Sequence, residues 1–276
     1  MQVRAPALLD LCQGSARFDD DNVVPKVADG LLHLDRGQPG NTALSHPRVP
    51  FLQKVALYSG LPEASLARIA EVAGLQRFSN HAFLFREGED PDFVYSFIEG
   101  GIVLVGGADG HEAVIEFFGP GESVLLPAAI LSLPYLLSAR ATSDGQALLV
   151  PASKLRQFIE EDAAFAAQCT RVLSRHWRGL IGQIKEIKTH SAAERLAHFL
   201  IAQAEKATGS ATLILPGMKK EVATRLGIKP ETLSRTLKKL RDYGVESDGD
   251  SIRIASLERL SALVNTVPSR APTRLV

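Results

Sequence analysis

The sequence predicts an α+β fold in three successive parts: a small antiparallel β-barrel, one long helix, and a compact basic helical domain that closes on a β-hairpin. Three observations predict it. Short strand-like runs punctuated by Gly and Pro fill residues 49–161. An uninterrupted amphipathic stretch follows from Asp162 to Lys188. Two short helical segments with a tight turn between them occupy Met218 to Tyr243.

The barrel comes first. Pro62 to Ala73 reads as a short amphipathic helix, and strand-like runs follow at Ala82–Phe85, Phe93–Ile98, Ile102–Val105, Ala113–Phe118, Leu137–Ala141 and Ala147–Val150. Turn signals separate them: Glu87-Gly88-Glu89, Gly100-Gly101, Asp109-Gly110 and Gly119-Pro120-Gly121. Regular short strands with such punctuation argue for a barrel or jelly roll.

The long helix spans residues 162–189. Leu173, Trp177, Leu180, Ile184 and Ile187 step by four, three, four and three. That spacing is a heptad seam, the pattern of a coiled-coil dimer. A long helix packed on its own barrel would carry the same periodicity. Gly179 and Gly182 lie inside it, each weakening an isolated helix by ~1 kcal/mol relative to Ala. A further helix runs over residues 191–206, with Ser191 and Glu194 spaced as a capping box.

The third part, residues 190–265, carries the most information. In Met218 to Tyr243 eight Lys/Arg stand against three Asp/Glu. Val222, Ala223 and Leu226 mark the inner face of a first helix. Gly227 falls where a short helix–helix turn needs positive φ. Pro230 opens a second helix at a position where its missing N–H costs little. Leu233, Leu237 and Leu240 form its buried stripe, and Glu231, Thr232, Ser234, Arg235, Lys238, Lys239 and Arg241 lie on the other face. A helix buried on one side and basic on the other suits a DNA major groove. Gly244 to Ile254 then reads as a hairpin around Asp248-Gly249-Asp250, completing a winged helix-turn-helix. Glu246, Asp248 and Asp250 make this wing acidic, so it is expected to pack more than it grips.

Composition sets the bounds. The 276 residues give a prior of about two domains. Hydrophobic content of 45% and charged content of 22% are ordinary for a globular chain. Net charge is zero, so any nucleic-acid preference resides in local charge distribution. The two cysteines, Cys12 and Cys169, exclude a four-cysteine zinc or iron–sulfur site and fit a reducing cytoplasm. No apolar run reaches the ~18 residues of a membrane span, and the N-terminus does not read as a signal peptide. Residues 1–48 show no periodicity and read as a poorly ordered extension or a start placed too far upstream. Residues 266–276 read as a tail.

The order of parts, with Asp109-Gly110, Pro120-Gly121-Glu122, Glu194-Arg195-Leu196-Ala197 and Glu231-Thr232-Leu233-Ser234-Arg235, resembles the superfamily of the cyclic-AMP receptor protein and the fumarate–nitrate reduction regulator over about residues 50–265. The resemblance implies a cyclic-nucleotide-binding-like barrel at 49–161, a dimerisation helix, and a homodimer that binds a two-fold DNA operator under control of an effector at the barrel. It implies base contacts by Glu231, Ser234 and Arg235, the contact set of the fumarate–nitrate branch. Pro230 stands where the cyclic-AMP branch carries Arg, so a TTGAT-like half-site is expected. Physically, Arg donates to guanine O6/N7, Glu accepts from cytosine N4, and Ser serves either role. Lys219, Lys220, Lys229, Thr232, Lys238 and Lys239 are candidate phosphate contacts, which position without reading sequence. RNA polymerase is the expected protein partner, and no membrane is.

The expected effector pocket departs from the family pattern. Leu125 and Leu126 fall near the Gly-Glu pair that cyclic-nucleotide binders use, and Leu stands where the phosphate-binding Arg would fall. An apolar pocket of Leu125, Leu126, Ile130, Leu136 and Leu137 gives a buried phosphate no charge partner. Cyclic AMP, cyclic GMP and an iron–sulfur cluster are therefore not expected. Haem, another apolar small molecule, or plain side-chain packing remain as occupants, with His176 and His81 the candidate haem ligands. No nucleophile–base pair, phosphate loop or metal spacing supports an enzyme. The reading is a dimeric transcription regulator; the alternatives are a haem-based nitric-oxide or redox sensor of the same family, or a sensing module acting through a protein partner.

Overall fold

The computed structural model describes residues 46–107, 112–124, 126–206 and 212–265. The expectations for residues 1–45, Asp109-Gly110, Leu125 and 266–276 lie outside them.

Two short helices, α1 (Val49–Gln53) and α2 (Glu63–Val72), precede eight strands: β1 (Gly74–Phe78), β2 (Phe83–Phe85), β3 (Phe93–Glu99), β4 (Ile102–Gly106), β5 (Ala113–Phe118), β6 (Ser123–Val124), β7 (Ser138–Ala141) and β8 (Gly145–Pro151). Helix α3 (Leu126–Leu131) lies between β6 and β7. The strands form two four-stranded sheets, ordered β1-β8-β3-β6 and β2-β7-β4-β5, with every pairing antiparallel. This is the predicted jelly roll. All six predicted strands exist with ends shifted by a few residues. Strands β1 and β6 and helix α3 were not predicted. In β1, Gln76 and Arg77 interrupt any apolar alternation, and β6 has two residues, too few to show a period.

The sandwich interior holds Phe78, Phe97, Val124 and Leu149 from the first sheet against Phe85, Ile102, Leu104 and Ala139 from the second. Both outer faces are also covered. On the first sheet Val94, Leu148 and Val150 pack under α1, α2 and two later helices, α4 (Ala152–Glu161) and the start of α5 (Ala163–Thr189). On the second sheet Val103, Val105, Val114 and Phe117 pack against the C-terminal domain. Alternation along β4 explains its unbroken apolar run: Ile102 and Leu104 look in, Val103 and Val105 look out, and all four are buried.

The long helix α5 has 27 residues, about 40 Å, and runs continuously through Gly179 and Gly182. Asp162 caps it, its carboxylate accepting from the N–H groups of Ala164 and Phe165 at 3.0 and 3.1 Å. Helix α6 (Ala192–Lys206) follows. Its capping box is present: Glu194 accepts from the Ser191 N–H at 2.6 Å, and Ser191 accepts from the Glu194 N–H at 3.3 Å.

The C-terminal domain continues with β9 (Thr212–Ile214), α7 (Lys219–Arg225), α8 (Pro230–Lys239), a 3-10 turn (Leu240–Tyr243), β10 (Val245–Asp248), β11 (Ser251–Ile254) and α9 (Leu257–Asn265). The wing is therefore a three-stranded sheet, β10-β11-β9, rather than the predicted two-stranded hairpin alone.

Candidate nucleic-acid interface and the barrel segment

Local chemistry builds the helix-turn-helix. Gly227 sits at φ +64°, the left-handed region that the corner between α7 and α8 demands. Lys229 is extended and Pro230 takes the first turn of α8. Leu233, Leu237 and Leu240 are buried with Leu196, Leu200, Val222 and Ile252 in the domain core. That anchoring leaves Glu231, Ser234 and Arg235 exposed at i, i+3 and i+4, one face of the helix. Lys238 lies one turn further on the same face. Lys220, Lys229, Lys238 and Lys239 are exposed, and Lys219 and Thr232 are half-buried. Arg253 pairs with Glu246 across β10 and β11, offsetting part of the wing's acidity.

Arg195, within the Glu194-Arg195-Leu196-Ala197 motif, has a mechanical role that sequence reading left unassigned. Its guanidinium donates to the carbonyls of His190 at 2.7 Å and Leu226 at 2.9 Å. It thus joins the end of α5 to the corner of the helix-turn-helix. A cation at a helix C-terminus also opposes the helix dipole favourably.

The heptad set divides along α5. Leu173 is half-buried against the helical layer, whereas Trp177, Leu180, Ile184 and Ile187 are exposed, together with Ile181, which the heptad count omitted. These five form an apolar stripe on one chain.

The four described members of the predicted pocket fall into different surroundings. Leu126 is fully buried and Ile130 partly so, both in the helical layer outside the sandwich. Leu137 packs against the sandwich interior, and Leu136 is 74% exposed. Leu126 and Ile130, four apart on α3, share one face of that helix, whereas Leu136 and Leu137 lie beyond its end in the approach to β7. Beside this segment Tyr135 stacks on Phe85 at 4.2 Å and donates to the Phe93 carbonyl at 2.9 Å.

Arg140 also resolves. In register it sits opposite Val103, and so on the outward face of the second sheet. Its guanidinium donates to Glu221 of α7 at 2.6 Å and to Glu112 at 3.3 Å. It faces the C-terminal domain, not the sandwich interior. Residues 123–139 contain no cation.

The two candidate haem ligands lie in unlike places. His81 is exposed, at φ +66° in the turn before β2. His176 is half-buried on α5, edge-on to Phe118 at 6.0 Å. Burial holds its pKa below the ordinary imidazole value, with Glu122 opposing. Cys169 is a core thiol whose pKa burial pushes up to about 12. Among the described residues no cluster of three or more His, Cys, Asp or Glu could hold a metal ion, and no helix is long and apolar enough to cross a membrane.

A jelly roll joined by a long helix to a winged helix-turn-helix defines a DNA-binding transcription regulator with a cyclic-nucleotide-binding-like domain. Comparison with known proteins gives the family. A cyclic nucleotide-binding domain profile matches residues 75–162, and a Crp-like helix-turn-helix domain profile matches residues 194–263. The chain is 23% identical over 216 residues to the CRP-like cAMP-activated global transcriptional regulator of Mycobacterium tuberculosis, covering 76% of this chain and 96% of that one. It is 25% identical over 205 residues to the anaerobic regulatory protein of Bacillus subtilis, covering 71% and 85%. The solved structure of FixK2 from Bradyrhizobium japonicum superposes with a TM-score of 0.63 at 24% identity, covering 70% of this chain and 97% of that one. The chain belongs to the superfamily of the cyclic-AMP receptor protein and the fumarate–nitrate reduction regulator. These relatives are regulators, not enzymes.

Proposed function

We propose that the chain acts as a homodimeric, sequence-specific transcription regulator that reads a two-fold TTGAT-like site with α8. The observation that carries this is the division of α8: Leu233 and Leu237 buried, Glu231, Ser234 and Arg235 exposed on one face. The exposed stripe from Trp177 to Ile187 supports the dimer, because a second copy of α5 would cover it. Two recognition helices related by two-fold symmetry then require a palindromic operator. The outward Arg140 speaks against cyclic AMP or cyclic GMP as effector; an apolar ligand or haem at His176 would be seen in the absorption spectrum or in co-purified small molecules. RNA polymerase is the expected partner at the promoter.

The test is a footprint of the purified protein on two-fold TTGAT-type DNA, followed by binding isotherms. Arg235→Ala is expected to cost about 1–3 kcal/mol and to relax preference at one base pair. Lys238→Gln is expected to weaken all sequences alike and to reduce the salt slope by about one. No protected two-fold site would refute the reading.

A further inference from the structure

We propose that two ion pairs across the seam between barrel and C-terminal domain, Glu116–Arg225 and Arg140–Glu221, hold the DNA-reading head in its binding orientation. These four are positioning residues that do not touch DNA. The proposal rests on the function proposed above.

Arg225 ends α7, the first helix of the helix-turn-helix, where an isolated sequence would suggest a phosphate contact. Instead its Nε and Nη2 donate to the two carboxylate oxygens of Glu116 on β5, at 3.0 and 2.7 Å. This two-pronged bond fixes orientation as well as distance. Glu221 shares its oxygens between the two domains: Oε1 accepts from Arg140, and Oε2 accepts from the Met218 N–H at 2.8 Å, at the start of α7. Glu221 is buried, and the Arg140 and Arg225 side chains are 12% and 14% exposed.

The pairs flank an apolar seam. Val103, Val105, Val114 and Phe117 of the barrel share one buried cluster with Leu196, Phe199 and Val222 of the head. Phe117 approaches Gly217 so closely that a Cβ there would stand 2.8 Å from its ring. Undocking would expose that face of the barrel, strip Glu116, Arg225 and Glu221 of their ion-pair partners, and leave Arg140 with Glu112 alone. Residues Glu231, Ser234 and Arg235 stay exposed in the docked state, so docking leaves the reading face free. In a two-fold dimer, a head fixed to the barrel fixes the spacing of the two recognition helices. A loose head must be ordered on binding, which lowers affinity.

The test uses the full-length protein and a fluorescent two-fold site, with affinity measured across salt concentrations. Glu116→Gln removes a negative charge, so simple electrostatics makes DNA binding equal or tighter. The latch makes it about tenfold weaker, with the slope of log affinity against log salt unchanged. Arg225→Gln should behave identically; a slope reduced by about one would assign Arg225 to a phosphate and overturn the proposal. Combining Glu116→Arg with Arg225→Glu should restore affinity to within about twofold of the starting protein if the pair acts only by positioning. Equal or tighter binding by Glu116→Gln, or a double variant no better than Arg225→Gln, would overturn the latch while leaving the DNA-binding reading intact. If the unmodified protein bound no two-fold site, that reading itself would fall.

Discussion

The two halves of α5 each carry an apolar stripe, in opposite circumstances. In the first half Phe165, Gln168, Cys169 and Val172 are buried, and Gln168 donates to the Ala56 carbonyl at 2.5 Å. In the second half Trp177 is 65% exposed, and Leu180, Ile181, Ile184 and Ile187 are 44–50% exposed. One helix thus serves first as an internal strut and then as an unpaired apolar rail. The switch falls at Leu173, where the helical layer of the barrel ends. Beyond it, contact with the barrel runs along one flank of that rail, through His176 on Phe118 and Gln183 on the Ile115 carbonyl at 3.0 Å.

The comparison predicts different failures from similar substitutions. The largest effect belongs to the strut. Phe165 is fully buried, parallel to Tyr58 and edge-on to Phe158, each at 6.2 Å. Phe165→Ala should cost about 3–5 kcal/mol, read from denaturant midpoints; a loss under about 1 kcal/mol would mean the first half is not core. Next comes the rail. Leu180→Asp with Ile184→Asp should leave secondary structure intact by circular dichroism, convert the protein to a monomer by sedimentation, and reduce two-fold DNA affinity about a hundredfold or more. A variant that stayed dimeric would move the interface elsewhere.

His176 marks the boundary and gives a smaller, pH-dependent effect. Burial lowers its folded pKa below the unfolded value of about 6.5. Its neutral form is therefore the one the fold prefers. Stability is complete above the unfolded value and is lost as pH falls through the folded value. His176→Asn should flatten the stability profile below about pH 6.5; an unchanged slope would assign the acid sensitivity to other groups. The smallest effect is spectroscopic. Trp177 is the single tryptophan, so its emission should shift to the red on dilution below the dimer dissociation constant and stay red in the Leu180→Asp/Ile184→Asp variant.

The recognition helix was legible because its information is local. The Gly227 corner, the Pro230 start and the Leu233–Leu237–Leu240 stripe are set by spacings within one segment, and those same spacings leave Glu231, Ser234 and Arg235 outward. The barrel segment was not legible. Leu126, Ile130, Leu136 and Leu137 read alike as leucine-rich lining, yet α3 and the pairing of β7 send them to different surroundings. One missed signal was available in Ile102–Val105: four consecutive apolar residues in a strand too short to be a helix announce that both faces are covered. A sandwich interior accounts for one face only; the other is the seam with the reading head.

From sequence alone came the order of parts, the jelly roll, the apolar stripe of α5 and the polarity of α8, because each depends on residues close together along the chain. Tertiary structure decided where α5 changes from strut to rail, that Arg140 turns outward to Glu221, and that Arg225 is held by Glu116. Strand register assigns Arg140 its face, and residues more than a hundred positions apart meet at Arg225. Neither relation is expressed in the spacing of neighbouring residues, since pairing across a sheet and docking of domains are settled by the packing of the whole chain.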